Sequence, residues 1–255
     1  MFEYLALTLA VALAINFAMF LVAYRKGTDH LTDISYAVTF VTLAGYGLAF
    51  GPLTPFRLLL FIMVTIWAVR LGAFLLRRVV RKGKDGRFDE MRGNFRKFAT
   101  FWIGQGLAVW FILIPVLLAL RLNVDSIPHL AWLGVHIFTI GLIIEAVADE
   151  QKRRFSLNPT NSGRYIHTGL WSWSRHPNYF GEMLLWTGVY LVAATVLPPI
   201  QALVSLVSPL YIIWLLLFIS GIPILERQAD AKWGKEPDYQ KYKRRTSLLI
   251  PLPPR

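Results

Sequence analysis

The sequence predicts an all-α integral membrane protein with seven transmembrane helices. Three observations predict it. First, 55% of the 255 residues are hydrophobic and only 16% are charged, and the mean hydropathy is +0.48. That is too apolar for an ordinary soluble domain. Second, apolar runs close to the roughly 20 helical residues needed to cross a hydrocarbon core recur along nearly the whole chain. Third, Lys and Arg are distributed unevenly between the segments that join those runs.

Taken in order, the predicted spans are Leu5 to Ala23, Ile34 to Phe50, Phe56 to Leu76, Phe98 to Leu120, His129 to Val147, Tyr179 to Leu197 and Leu203 to Leu225. The first has no basic stretch before it and no small-residue cleavage site after it, so it reads as a retained helix rather than a signal peptide. The second carries Ser35, Tyr36, Thr39, Thr42 and Tyr46, which turns one of its sides towards protein or a cavity. The sixth and seventh are separated by Leu197-Pro198-Pro199-Ile200, a turn that implies a tight helical hairpin. So many spans leave residues 1–255 as a single transmembrane domain with no separate soluble part.

Seven spans place the termini on opposite sides, and the cations test that topology. Residues 24–33, 77–97, 148–178 and 226–255 hold 24 of the 27 Lys and Arg. All four segments fall on one side, so the positive-inside rule puts the N-terminus outside and the C-terminus in the cytosol. The net charge of +12 is thereby assigned to orientation, and no nucleic-acid partner is expected. The same cations would attract an anionic cytosolic ligand to that mouth of the bundle, or touch anionic lipid heads as ordinary flanking charges. With no cysteine, disulfides and thiolate chemistry are excluded. The histidines lack metal-ligand spacing, so no metal is expected.

Ionisable residues inside apolar spans are costly and therefore informative. Arg70 either snorkels to the interface or reaches inward to a phosphate or carboxylate. Glu145, Asp149 and Arg153 recur every four residues and share a helix face. Asp149 and Arg153 can pair as surface neighbours, whereas Glu145 lies deeper and needs a partner or a ligand. Asn178, Glu182 and Trp186 repeat the spacing behind Pro177, a first-turn residue. This helix start, with Arg175 and His176 beside it, offers an anion site, or else a cap whose polar groups satisfy the backbone. Asp33 opens the second span with Tyr36 one turn later; Thr32 or Asp33 reads as an N-cap, or Asp33 as a proton donor to a carbonyl.

The run Leu170-Trp171-Ser172-Trp173-Ser174-Arg175-His176-Pro177-Asn178-Tyr179-Phe180-Gly181-Glu182, with Trp186 beyond it, resembles the C-terminal region of the membrane steroid 5α-reductases and their bacterial relatives. The tail Tyr242-Lys243-Arg244-Arg245-Thr246-Ser247-Leu248-Leu249-Ile250-Pro251 is similar to that family's closing segment. The likeness covers about the last 110 residues well and the first half weakly. It implies a seven-helix enzyme that uses NADPH to reduce the carbon-carbon double bond of a 3-oxo-Δ4-steroid or another lipophilic enone. It also implies a cofactor part at about 140–255 and a substrate chamber mainly in 1–120.

By the resemblance, Asn178, Glu182 and Trp186 line the nicotinamide end, and Arg70, Asp149 and Arg153 meet amides, ribose or phosphates. Glu145, Arg175, His176, Tyr179 and Tyr242 complete the cofactor-binding set, while Asp33 and Tyr36 are the catalytic pair at the substrate carbonyl. The family's catalytic tyrosine falls at Trp67, whose indole cannot act as a phenol, so either Tyr36 or Tyr46 supplies that group from another helix or the substrate is not a steroid enone. Arg175-His176-Pro177-x-Tyr179-x-Gly181, followed by Glu226, Gly234, Tyr239 and Tyr242, also resembles isoprenylcysteine- and phospholipid-type membrane methyltransferases that use S-adenosylmethionine. Either family implies a lipophilic substrate and a bilayer: the inner membrane of a bacterium or the endoplasmic reticulum of a eukaryote.

Overall fold

The computed structural model describes residues 1–82 and 89–254, without the side chains of residues 78–82, 89 and 90. The middle of the basic segment 77–97 lies outside the described residues. Helices follow in the order α1 (Phe2–Lys26), α2 (His30–Ala49), α3 (Pro55–Lys82), α4 (Asp89–Arg92), α5 (Phe95–Ala119), α6 (Ala131–Leu157) and α7 (Pro177–Ala194). Then come α8 (Pro199–Ser205), α9 (Val207–Trp214), a π-helical turn (Leu215–Ile219), α10 (Ile222–Trp233) and α11 (Pro237–Arg245). Among the described residues there is no strand, only an isolated parallel bridge between Ser174 and Ser247.

All seven predicted runs are helical for most of their length, and five segments are long and apolar enough to cross a membrane. These are α1, Pro55–Arg77 of α3, α5, α6 and the composite Pro199–Trp233. The first four hold a continuous helix over the whole span, which suits a bilayer core that offers the backbone no hydrogen-bonding water. Helices α2 and α7 are not among these five segments, and both carry the polar residues noted above. The last predicted span differs from a single helix: its chain is interrupted by the π turn and by Gly221 before α10 begins. Hydropathy is blind to such an interruption, since the residues stay apolar through it.

Helix ends follow local chemistry. Gly27, at φ 59°, closes α1, and its N–H bonds to the carbonyls of Ala23 and Tyr24. Asn94 caps α5, its Oδ1 accepting from the Lys97 N–H at 3.1 Å. Helix α2 begins four residues before the predicted Ile34, so the N-cap position is Asp29 rather than Thr32 or Asp33. The Thr32 hydroxyl donates back to the Asp29 carbonyl at 2.7 Å, and the Asp29 carboxylate takes Arg92 at 2.8 Å. Asp33 lies in the first turn, where the helix dipole favours an anion.

The chain divides into two compact units, residues 1–131 with 189–208 and residues 132–188 with 209–255. In the first, a buried polar network ties three helices. The Asn16 amide donates to Thr39 Oγ1 at 3.1 Å, and the Gln105 amide donates to Asn16 Oδ1 at 3.0 Å and Ser35 Oγ at 2.7 Å. Such bonds fix helix register in an apolar setting, where a lost partner is not replaced by water. Arg57 is fully buried in the same unit. Its guanidinium donates to the carbonyls of Leu120 (2.8 Å), Pro52 (2.6 Å), Gly47 (2.8 Å) and Leu48 (3.1 Å). It thus satisfies carbonyl groups left over at the C-terminal ends of α2 and α5, where a cation also meets the helix dipoles favourably.

Candidate functional site

The polar residues singled out in the C-terminal half converge in the second unit, and glycines bring them together. Helices α6 and α7 touch backbone to backbone. A Cβ on Gly141 would lie 2.5 Å from the Leu185 nitrogen and 2.6 Å from the Gly181 carbonyl oxygen. One on Gly181 would lie 2.6 Å from the Glu145 nitrogen, and one on Gly188 2.5 Å from the Phe138 nitrogen and 2.6 Å from the Gly134 carbonyl. Gly134 and Gly141 are seven apart, as are Gly181 and Gly188, which places each pair on one helix face. Small residues at such a crossing let the two backbones approach closely.

This crossing sets Glu145 and Asp149 of α6 beside the first turns of α7. Both carboxylates are buried, as is Glu182. The Asn178 amide donates to Asp149 Oδ1 at 3.2 Å, and the fully buried Trp186 indole donates to Glu182 Oε1 at 3.2 Å. The sequence spacing put Asp149 and Arg153 within pairing reach, but Arg153 makes a bidentate contact with Glu150, one bond of which is 2.7 Å. Asp149 is thereby left to α7. Buried carboxylates in an apolar setting are expensive unless ligand or protein donors face them.

The loop before α7 adds cations. Arg175 donates to Glu226 Oε2 at 2.6 Å, and His176 Nε2 lies 2.9 Å from Glu226 Oε1. The His176 ring stacks on Tyr179 with centroids 5.7 Å apart. Burial pushes the His176 pKa below its ordinary value, against the pull of the Glu226 carboxylate. A neutral imidazole donating from Nε2 leaves Nδ1 as an acceptor, and that buried atom has no hydrogen-bond partner among the described residues. The same holds for Arg175 Nε. Both face the demand of an unmet buried polar group.

A pH dependence follows. Above about pH 6.5 both the folded and unfolded histidine are neutral. Below it the unfolded chain takes up a proton that the buried ring resists, so stability falls as pH drops from about 6.5 towards the depressed folded value and levels off below that value. The slope is at most about 1.4 kcal/mol per pH unit for one site. Thermal midpoints in detergent between pH 7.5 and 5 should show this loss, and His176→Gln should flatten it.

The C-terminal segment braces this loop. The Arg175 N–H donates to the Ser247 carbonyl at 2.8 Å, the Ser174 hydroxyl to the Leu249 carbonyl at 2.7 Å, and the Tyr242 hydroxyl to the Trp171 carbonyl at 2.7 Å. Burial raises the Tyr242 pKa, and pushes that of Tyr239 up to about 12, so both phenols stay protonated. Tyr242, expected to touch a cofactor, therefore has its hydroxyl committed to the protein.

The remaining predicted residues belong to the first unit. There the Tyr36 ring lies 6.1 Å from Trp67 and 4.9 Å from Phe40. Tyr46 instead stacks on Tyr4 and packs at a tilt against Phe50, towards the other end of α2. Of the two tyrosines, Tyr36 is the neighbour of Trp67. Arg70 follows Trp67 by one turn on α3 and is partly buried. Among the described residues no group of His, Cys, Asp or Glu gathers as a metal site. The glycine contacts escaped the sequence reading; the two seven-residue spacings were the signal.

The family model described as "Protein of unknown function (DUF1295)" matches residues 19–246. The chain belongs to that family. It is 26% identical over 177 residues to the uncharacterized protein C594.04c of Schizosaccharomyces pombe, covering 58% of this chain and 52% of that protein. It is 38% identical over 66 residues to the probable O-methyltransferase ustE of Ustilaginoidea virens, covering 26% of this chain and 23% of that one. The chain thus spans about half of the first relative's length and less of the second's. No solved structure shows a significant match.

Proposed function

We propose that this DUF1295 protein is an NADPH-dependent membrane reductase acting on the double bond of a lipophilic α,β-unsaturated carbonyl compound. The observation that carries the proposal is the buried face made by Asp149, Asn178, Glu182 and Trp186 together with the unmet His176 Nδ1. Carboxylates and an imidazole acceptor suit the N–H groups of a carboxamide, and the Asn178 amide suits its oxygen. Lys152, Arg153 and Arg154 at the end of α6, with Arg175, supply cations for phosphates. NADPH, when bound, supplies a hydride to the β-carbon and leaves negative charge on the carbonyl oxygen. Tyr36 and Asp33 are assigned to that carbonyl, Tyr36 donating a hydrogen bond to its oxygen. In this proposal α2 and α7 complete seven spans, with the N-terminus outside and the C-terminus in the cytosol.

A second reading has its own support. Arg175 and His176 both engage Glu226, which joins the parts of the methyltransferase-like pattern, and one relative carries the name O-methyltransferase. One titration separates the two. NADPH at 100 times its dissociation constant should stabilise the purified protein by about 2.7 kcal/mol, read as a raised thermal midpoint. Glu182→Gln and Asn178→Ala should reduce that shift while still folding, Asn178→Ala at a ligand-free cost of about 1–3 kcal/mol because buried Asp149 loses a donor. Stabilisation by S-adenosylmethionine alone would replace the reductase by a methyltransferase.

A further inference from the structure

The C-terminal segment does more than brace the site loop, because its outward side has the composition of a membrane interface. Ser247, Leu249 and Leu252 hold the segment to residues 173–175 through backbone and hydroxyl bonds. Alternation then turns Leu248, Ile250 and Leu252 outward, at 39%, 55% and 48% exposure, and Trp173 is 46% exposed on the strand of chain they accompany. Immediately before them, the C-terminal half of α11 presents Lys241, Arg244 and Arg245 to solvent. Lys243 behaves differently: its ammonium is held by Asp230 at 2.6 and 2.7 Å, with Glu226 3.5 Å away.

A groove of about 390 Å³ opens beside this patch, lined among others by Tyr165, His167, Lys241, Tyr242 and Arg245. Asp238 also lines it, so one carboxylate opposes the two cations there. Tyr165, Tyr242, Tyr239 and Trp233 form an aromatic cluster behind it, with ring centroids 5.0 to 6.3 Å apart, and this makes the groove a firm wall rather than a loose surface. The result is a basic, aromatic-walled recess edged by outward leucine, isoleucine and tryptophan. Basic side chains beside exposed apolar and aromatic ones are what an anionic leaflet attracts: the cations meet the phosphates, and the apolar edge enters the headgroup boundary.

We propose that residues 241–252 with Trp173 form a docking surface for anionic phospholipid, in which Lys241 and Arg245 receive a headgroup phosphate in the groove and Leu248, Ile250 and Leu252 enter the interface. Charge complementarity selects this occupant. An apolar protein partner would leave Lys241, Arg244 and Arg245 without counter-charges, and a free phosphate would leave the leucine and isoleucine edge in water. Because the same segment bonds to Ser174 and Arg175, docking would also steady the loop that carries His176. The inference does not depend on the reductase reading, since Lys241, Arg244, Arg245 and the apolar edge are not among the residues assigned to nucleotide.

The absence of cysteine from the chain makes the test direct. A single Ile250→Cys, labelled with a polarity-sensitive fluorophore, is placed in nanodiscs of phosphatidylcholine alone or with phosphatidylglycerol. Anionic lipid should shift the emission to the blue, and 0.5 M salt should reverse the shift by screening. Each of Lys241→Gln, Arg244→Gln and Arg245→Gln should lower the docked-to-free ratio about fivefold, from a contribution of about 1 kcal/mol per cation near a charged leaflet. Inorganic phosphate added to phosphatidylcholine discs should leave the emission unchanged. Emission that ignores lipid charge, or that phosphate alone shifts, would overturn the proposal. If labelling disturbs position 250, Leu248→Cys reports the same face, and protection of the tail from trypsin in the two lipids provides an unlabelled readout.

Discussion

Arg57→Ala should be among the most damaging single substitutions in the first unit, costing roughly 4 kcal/mol or more in a detergent or mixed-micelle unfolding assay. The guanidinium has no exposed surface and donates to four carbonyl oxygens that end helices or the turn after α2. Hydrogen bonds from a charged donor contribute about 1.5 to 3 kcal/mol each, and the acceptors do not lose their demand when the donor is removed. Part of the loss is recovered if water enters the space, which keeps the sum well below four full bonds. Arg57→Lys keeps the charge but not the fork, so it can serve at most some of the acceptors at once and should fall between the two. A lysine variant as stable as the parent would show that the charge at the helix ends, and not the fan of hydrogen bonds, is what the site needs. Gly51 is part of the same construction, because a Cβ there would run into the guanidinium.

The contrast between Arg57 and the helices around it shows what the sequence could and could not convey. Seven apolar runs were readable because hydrophobic length is a local property, and each of them proved helical over most of its extent. The positions of individual charges were less readable. Arg57 reads as a flanking cation at the edge of the third predicted span, in or beside a loop, yet it is buried, and only the three-dimensional gathering of carbonyls from residues 47, 48, 52 and 120 explains it. Asp149 teaches the same lesson within the candidate site. Helical spacing put Glu145, Asp149 and Arg153 on one helix face, but it supplied no information about α7, and Asn178 won Asp149 while Glu150 won Arg153. Glu226 is a further case: the methyltransferase-like tail pointed to it, and its pairing with both Arg175 and His176 depends on a chain separation of about fifty residues.

Gly181→Ala should couple a stability loss to a loss of site geometry, and this is the second large effect expected. A Cβ at 2.6 Å from the Glu145 nitrogen and the Gly141 oxygen, and 2.9 Å from the Glu145 Cβ, meets mostly backbone that cannot rotate out of the way. The helices must separate, at a cost of about 1–3 kcal/mol for an overpacked contact, or more. The gain in helix propensity, about 1 kcal/mol for alanine over glycine, offsets only part of it. Gly104→Ala is the control, because nothing lies within 4 Å of its Cβ position in α5 and only the propensity gain remains. Its thermal midpoint should rise while that of Gly181→Ala falls. Gly141→Ala should act on the same contact, so the double variant should cost less than the sum of the singles. The separation also draws Asp149 away from Asn178, so the NADPH-induced stabilisation proposed for the parent should shrink in Gly181→Ala even at temperatures where that variant is fully folded. A variant that lost stability yet kept full nucleotide response would place the nucleotide elsewhere than on the α6–α7 face.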